Sequence, residues 1–206
     1  KKDQSYFLYT LTQPQLSRVV FPLGGLRKDQ VREIAAAQGM DNASKRDSQD
    51  ICFVPDGNYA AVVEEMAGPA PGNFLDQEGR ILGRHKGLIR YTRGQHKGLG
   101  LPTEEPLYVL EKHPESGDIV LGPDAALWDR ELTACCVNWI SIPELTEPRA
   151  VTVKTRYSQK EAAAVVEPLA DGRVRVAFEE PQRAITPGQA AVFYDGETVV
   201  GGGTIC

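Results

Sequence analysis

Along the first third of the chain the apolar residues recur at helical spacing. Thr12-Gln13-Pro14-Gln15 is a capping box with proline in the first turn, which predicts a short helix after Thr12. A second helix is expected from Arg27 to Gln38. Val31, Ile34 and Ala35 share one of its faces, and Gly39 is its left-handed terminator. Ile51 and Phe53 read as the buried face of a short strand over 51–54, closed by the turn chemistry of Pro55-Asp56-Gly57. Asp56 is placed to cap a third helix, in which Tyr59, Val62, Val63 and Met66 fall at i, i+3, i+4 and i+7. That stripe reads as core rather than as a cofactor site.

Gly68-Pro69-Ala70-Pro71-Gly72 cannot continue a helix, and beyond it the period switches to two. Phe74-Leu75-Asp76 and Arg80-Ile81-Leu82 flank a Gln77-Glu78-Gly79 turn. Tyr108-Val109-Leu110 and Asp118-Ile119-Val120-Leu121 flank Glu115-Ser116-Gly117. Both predict hairpins. From Leu132 onward nearly everything reads as short strands. Val151, Val153 and Thr155 alternate with Thr152, Lys154 and Arg156, and Asp171-Gly172 and Asp195-Gly196 are hairpin turns that require positive φ. The expected fold class is α+β multidomain, with an α/β segment over 1–66, a small β-rich central domain over 67–129, and a C-terminal antiparallel β-barrel over 130–206.

Composition narrows the setting. The 206 residues are 41% hydrophobic and 25% charged, the make-up of an ordinary globular protein. No apolar run approaches bilayer length and no signal-peptide pattern is present, so a membrane is not an expected partner. The four cysteines include the adjacent pair Cys135-Cys136 and the terminal Cys206, which is not a disulfide framework and fits a reducing cytoplasm. A net charge of −5 argues weakly against a nucleic-acid partner, but the charge is unevenly distributed. Between Gly79 and Thr103 there is no Asp or Glu, while Arg80, Arg84, Lys86, Arg90, Arg93 and Lys97 cluster with His85, His96 and Tyr91. That segment suits a phosphate backbone, with Tyr91 available for stacking; the competing reading is a solvated loop.

Candidate chemistry centres on Asp47-Ser48-Gln49-Asp50-Ile51-Cys52-Phe53. On strand alternation the Cys52 side chain lies opposite the apolar face, beside polar loops, where a nucleophile would sit; the alternative is a small core hydrophobe. Lys45 and Arg46 favour its thiolate and Asp47 and Asp50 oppose it, so the sign of any activation stays open. Lys154-Thr155-Arg156-Tyr157 and Pro187-Gly188-Gln189 fall at strand ends or turns. Arg with Tyr holds a phosphate and stacks a base, or else forms a cross-strand pair with Tyr157 half-buried. The sequence contains neither G-x-x-x-x-G-K-[ST] nor G-x-G-x-x-G after a strand, and the three histidines are not spaced as zinc ligands, so no metal site is expected.

Four segments occur together and in order: Lys2-Asp3-Gln4-Ser5-Tyr6-Phe7-Leu8, Asp47 to Phe53, Gly94-Gln95-His96-Lys97-Gly98-Leu99-Gly100, and Pro181-Gln182-Arg183-Ala184-Ile185-Thr186-Pro187-Gly188-Gln189. With them the chain resembles the C-terminal part of the bacterial tRNA-specific 2-thiouridylases, a family once labelled tRNA methyltransferases. The resemblance implies replacement of the C2 oxygen of the wobble uridine by sulfur in the tRNAs for Lys, Glu and Gln. It implies an adenine-nucleotide α-hydrolase-like domain whose PP-loop, S-G-G-x-D-S, uses ATP with Mg2+ to adenylate that oxygen. The first segment here would be the remnant of that domain. Sulfur would come from a donor protein as a persulfide, with a second cysteine assisting release. Cys52 matches the persulfide-carrying position. Lys2, Asp3 and Gln4 match a tRNA-contacting segment near the flipped base, and Arg156, Tyr157 and Gln189 match tRNA contacts in the barrel. No S-G-G-x-D-S occurs in these 206 residues, so the nucleotide site and the second catalytic cysteine are expected to precede Lys1. Cys135, Cys136 and Cys206 lie outside the matched motifs and read as packing or incidental.

Two other functions compete with that implication. One is an RNA-binding module with a translation-factor-like barrel and no chemistry of its own. The other is a thiol redox protein acting through Cys52, for which no resolving cysteine lies nearby in sequence.

Overall fold

The computed structural model describes residues 4–44, 54, 58–68 and 70–206. The structure divides into two compact units. Residues through Pro14 group with those from Pro69 onward, and Gln15–Gly68 forms the other.

The larger unit contains both β assemblies. Strands β1 (Gly72–Leu75), β2 (Ile81–His85), β3 (Tyr108–His113) and β4 (Asp118–Gly122) form a sheet in the order β2-β1-β4-β3. β1 and β2 make the first expected hairpin and β3 and β4 the second; β1 joins them by running parallel to β4, so the sheet is mixed. In the first turn Asp76 accepts from the backbone N–H of Glu78 and of Arg80, an Asx arrangement that lets Gly79 take φ +83°. Phe74, Tyr91, Val109, Ile119 and Leu121 are the core of this sheet.

Tyr91, expected to be available for stacking, is a core residue. It is 6% exposed and meets Phe74 and His85 edge-on at 5.2 and 5.6 Å. His85 is buried with it, and both its ring nitrogens are engaged: Nε2 lies 2.9 Å from the Gly117 carbonyl and Nδ1 accepts from the Gly87 N–H at 3.0 Å. This pair of partners selects the neutral Nε2–H tautomer. Burial, the largest cause, holds the His85 pKa below its ordinary value.

Strands β5 (Trp128–Trp139), β6 (Arg149–Lys154), β7 (Ala162–Pro168), β8 (Val174–Arg183), β9 (Ala190–Asp195) and β10 (Thr198–Ile205) close into an antiparallel barrel. The ring order is β10-β5-β8-β7-β6-β9. The inward positions of the alternation fill it: Leu132, Ala134, Val151, Val153, Ala164, Val166, Val176, Phe178, Phe193 and Val200 all belong to one buried cluster. Closure leaves no strand edge open for pairing with another chain.

Residues 4–14 lie along this barrel. Helix α1 (Ser5–Leu8) presents Tyr6 to Val192 and Tyr194, and the three form a separate buried cluster with Tyr9, Tyr157 and Val199 at its margin. The Asn138 amide donates to the Tyr9 and Leu11 carbonyls at 2.6 and 2.9 Å, and the Gln13 amide to the Ile140 carbonyl at 2.6 Å. A Cβ at Gly202 would lie 2.7 Å from the Tyr9 ring, so only glycine lets the strap approach β10 this closely. The short helix expected after Thr12 is α2 (Gln13–Leu16).

In the smaller unit the expected second helix is α3 (Lys28–Ala37), with Gly39 at φ +67° beyond its end. The Arg27 N–H donates to Gln30 Oε1 at 2.8 Å, which fixes its start. The third is α4 (Tyr59–Ala67), and its cap is Asn58 rather than Asp56: Asn58 Oδ1 accepts from the Ala61 N–H at 3.2 Å. Neither apolar stripe is buried as its spacing suggests. Ile34 is 50% exposed and Met66 84%, because no described element covers those faces. The expected strand over 51–54 lies, apart from the buried Val54, outside the described residues.

Candidate nucleic-acid interface

Of the residues singled out in the sequence, Lys2, Asp3 and Cys52 lie outside the described residues. The other four are described, and contacts of the strap with the barrel bring them into one neighbourhood. Gln4 is exposed at the start of α1, its carbonyl accepting from the Phe7 and Leu8 N–H groups at 3.0 and 3.3 Å. The next residue, Ser5, donates to the Tyr194 hydroxyl at 3.3 Å. Tyr6 and Phe7 meet the Tyr157 ring, with centroids 6.0 and 5.0 Å away. The Tyr6 hydroxyl donates to the Ala190 carbonyl at 2.9 Å, next to Gln189 in the chain.

Tyr157 is half-buried, as one of the two readings required, but its partners are aromatic rings rather than a cross-strand charge. Its hydroxyl is buried with no hydrogen-bond partner among the described residues. Phe7 is 55% exposed and lies tilted against Tyr157, the ring planes 31° apart. Burial, with the neighbouring Tyr9 and Tyr194 hydroxyls adding to it, pushes the Tyr6 phenol up to about 12.

Arg156 directs one nitrogen, Nη2, at three oxygens: the Ala184 carbonyl at 3.0 Å, Thr186 Oγ1 at 3.1 Å and the Arg93 carbonyl at 3.4 Å. It therefore joins the barrel to the loop that follows Tyr91. Gln189 is exposed in the turn after Pro187. Its N–H donates to the Thr186 carbonyl at 3.2 Å and its carbonyl accepts from the Ile205 N–H at 2.8 Å.

A second tie was not assigned a role from the sequence. Arg183, at the end of β8, donates through Nε to Asp124 Oδ1 at 2.9 Å and through Nη2 to the Gly94 carbonyl at 3.3 Å. Its guanidinium also lies over the Tyr108 ring, 5.3 Å from the centroid. Asp124 is held below the usual carboxylate range by hydrogen bonds from Trp128 Nε1 and from Arg183. Gly94 has φ +85°, and a Cβ there would lie 3.0 Å from Arg183 Nη1 and 3.1 Å from the Ala184 side chain. Ala184 itself has φ +56°, a conformation rare for alanine, and it is secured by its N–H donating to the Leu127 carbonyl at 2.7 Å. The available sequence signal was the occurrence of Gly94 and Arg183 in two of the four matched segments.

The basic segment divides into paired and unpaired charge. Arg80 is neutralised by Asp76 at 2.6 Å and Glu78 at 3.0 Å, and Arg93 faces Asp129 at 3.3 Å. Arg84, Lys86 and Lys97 are exposed, with no ion pair among the described residues. His96 meets the Tyr108 ring at a 41° tilt, with centroids 5.1 Å apart. Among the described residues no group of three or more His, Cys, Asp or Glu is arranged to hold a metal ion. No helix among them is long and apolar enough to cross a membrane.

Three consecutive family models match. Residues 1–56 match the tRNA methyl transferase HUP domain, 60–123 the tRNA methyl transferase PRC-barrel domain, and 129–205 the Aminomethyltransferase beta-barrel domain. A tRNA-specific 2-thiouridylase MnmA from Acetivibrio thermocellus is 51% identical over 207 residues, covering 100% of this chain and 58% of the relative. The chain belongs to the tRNA-specific 2-thiouridylase family. Members from Heliobacterium modesticaldum and Magnetococcus marinus are 52% and 50% identical over 99% of the chain, covering 54% and 58% of their own lengths. The chain thus spans a little over half the length of these 2-thiouridylase relatives. The closed barrel and the separate mixed sheet agree with the family's domain models.

Proposed function

We propose that this chain is the tRNA-holding and sulfur-carrying part of a cytoplasmic tRNA wobble-uridine 2-thiouridylase. The observation that carries the reading is the meeting of Gln4, Arg156, Tyr157 and Gln189 around the Tyr6–Phe7 strap. Four residues matched to tRNA contacts come from segments far apart in sequence. Those segments are linked by Phe7 against Tyr157, the Tyr6 hydroxyl on the Ala190 carbonyl and Arg156 on Thr186, which supports the reading. In this reading Lys2, Asp3 and Gln4 hold the extruded base, Phe7 and Tyr157 offer aromatic faces, and Arg156 and Gln189 contact the backbone. Arg84 on β2 and Lys86 and Lys97 in the loops that follow it add unpaired positive charge, for which phosphates are the natural counter-charge. Residues 1–66 then serve the chemistry, 67–129 and 130–206 the tRNA. The substrates are the tRNAs for Lys, Glu and Gln, and a persulfide-bearing protein is the donor.

Cys52 carries the transferred sulfur. Its persulfide terminal sulfur forms the new bond to C2 of the uridine as the C2 oxygen leaves with its activating group. The thiolate of the second cysteine that the resemblance implies then attacks the Cys52 sulfur, breaking the S–S bond, so the outer sulfur stays on the base and the two cysteines end as a disulfide. ATP with Mg2+ supplies that activation when bound. The chain contains no S-G-G-x-D-S loop, and among the described residues no group of three or more His, Cys, Asp or Glu is arranged to hold a metal ion, so no step at the nucleotide is assigned to residues of this chain.

The test is tRNA affinity as a function of salt. A binding constant that falls steeply with salt, and falls less steeply in Arg84→Ala/Lys86→Ala/Lys97→Ala, is expected of a surface that neutralises phosphates. A flat dependence overturns the tRNA-holding role.

A further inference from the structure

Three of the chain's four cysteines, remote from Cys52 in sequence and from the surface described above in role, occupy one corner of the barrel. Cys135 and Cys136 lie on β5 where that strand bulges against β10: Gly202 opposes Asn138 and Thr204 opposes Cys135, so β5 has one residue more than β10 over that interval. Cys136 takes φ +53° to make the bulge. Cys206 follows β10 directly, its N–H donating to the Thr133 carbonyl at 2.9 Å, which extends the ladder by one step and places it on the same face as Thr204 and Cys135. All three thiols are free; Cys136 and Cys206 are exposed and Cys135 is half-buried. Side-chain contact with the Cys206 thiol is the largest influence on Cys135, pushing its pKa up, and the Cys136 thiol also contacts Cys135. The Arg173 guanidinium lies close enough for both Cys206 and Cys135 to act on it electrostatically, so a thiolate formed here has a cation near it.

We propose that Cys135 and Cys206 form a thiol–disulfide exchange site, which a low-molecular-weight disulfide such as oxidised glutathione converts into an intrachain disulfide joining β5 to the end of β10. The exposed Cys206 gives up its proton to solvent, and its thiolate attacks one sulfur of oxidised glutathione. A protein–glutathione bond forms and one glutathione thiolate leaves. Cys135 then loses its proton and attacks the Cys206 sulfur, releasing the second glutathione. The two protein thiols are oxidised by two electrons, and one oxidised glutathione is reduced to two thiols. Cys136 is the electrostatic neighbour of Tyr9, whereas Cys135 and Cys206 are those of Arg173.

The new bond would staple the end of β10, to which the Gln189 turn is hydrogen-bonded. The Ile205 carbonyl accepts from the Gly188 N–H at 2.8 Å, and the Ile205 N–H donates to the Gln189 carbonyl at 2.8 Å. Reduced, that end is held by backbone hydrogen bonds and by Ile205 in the barrel core; oxidised, it is also covalently tied to β5.

The experiment treats the whole chain with oxidised glutathione, quenches with acid, digests without reductant, and maps cross-linked peptides by mass spectrometry. A Cys135–Cys206 peptide pair is expected as the main cross-link, formed at least tenfold faster in folded protein than in denaturant and reversed by dithiothreitol. Cys136→Ser should retain the cross-link and Cys206→Ser should lose it. A dominant Cys135–Cys136 disulfide overturns the proposal, as do glutathione adducts without a cross-link or equal rates in folded and denatured protein.

Discussion

The Tyr6 hydroxyl donates to the Ala190 carbonyl at 2.9 Å, a bond between residues 184 positions apart that fastens the strap to β9. Tyr6→Phe keeps the ring in its cluster and removes only that bond, so a loss of ~1 kcal/mol in unfolding free energy is expected, measurable by urea denaturation. Titration gives the burial of the Tyr6 phenol a signature of its own. The phenol ionises near 10 when exposed and near 12 in the fold, so the folded state holds the proton over that interval. Stability from this group is fully present below pH 10 and is lost as pH rises toward 12. The Tyr6→Phe variant should show the smaller fall between those values.

His85 gives the opposite pH dependence. Its folded pKa lies below its ordinary value, so the unfolded chain takes up a proton first as pH falls. Stability is therefore fully present above the ordinary histidine range and declines as pH drops from about 6.5 through the depressed folded value. Protonation also turns Nδ1 from acceptor to donor, against the Gly87 N–H that it now accepts from. His85→Ala should cost ~2–4 kcal/mol, from a cavity beside Phe74 and Tyr91 plus two backbone groups left without partners. It should also flatten the pH profile between 5 and 7, as read by thermal unfolding.

Arg183 and Gly94 act as a pair. Arg183→Ala removes the bonds to Asp124 and to the Gly94 carbonyl and the contact with Tyr108, an expected loss of ~1–2 kcal/mol. Gly94→Ala forces a side chain into the left-handed region and against Arg183, at ~1–2 kcal/mol for the conformation alone. The double variant should be less destabilised than the sum, since the contact of the new Cβ with the guanidinium is gone, although its contact with the Ala184 side chain stays.

Arg156 distinguishes a structural from a tRNA-contacting role. Its Nη2 is committed to Ala184, Thr186 and Arg93, while no other atom of its guanidinium has a hydrogen-bond partner among the described residues. Arg156→Ala should weaken tRNA binding and lower the slope of log affinity against log salt by about one phosphate's worth. Unchanged affinity with reduced stability would assign it to packing alone.

The β portion of the fold was legible because its signals are local: alternating valines in β6 and β8, and Asp-Gly at the tight turns. The helices were legible in position but not in burial. Ile34 and Met66 follow a core-like period, yet a period says only that a face exists, not that something covers it. Tyr91 shows the complementary failure. Set among basic residues it reads as a stacking platform, whereas its neighbours across the sheet, Phe74 and His85, bury it. The joining of Gln4, Arg156, Tyr157 and Gln189 rests on the Tyr6 anchor, a long-range contact without periodicity or spacing to betray it. Cys135 and Cys206, set aside as incidental, are neighbours only because β10 pairs with β5.

The most direct test concerns Cys52. Full-length enzyme carrying Cys52→Ser, supplied with ATP, a persulfide donor and tRNA for Lys, Glu or Gln, should bind the tRNA as the parent does. It should yield no 2-thiouridine by nucleoside mass spectrometry. Normal 2-thiouridine formation in that variant contradicts a sulfur-carrying Cys52.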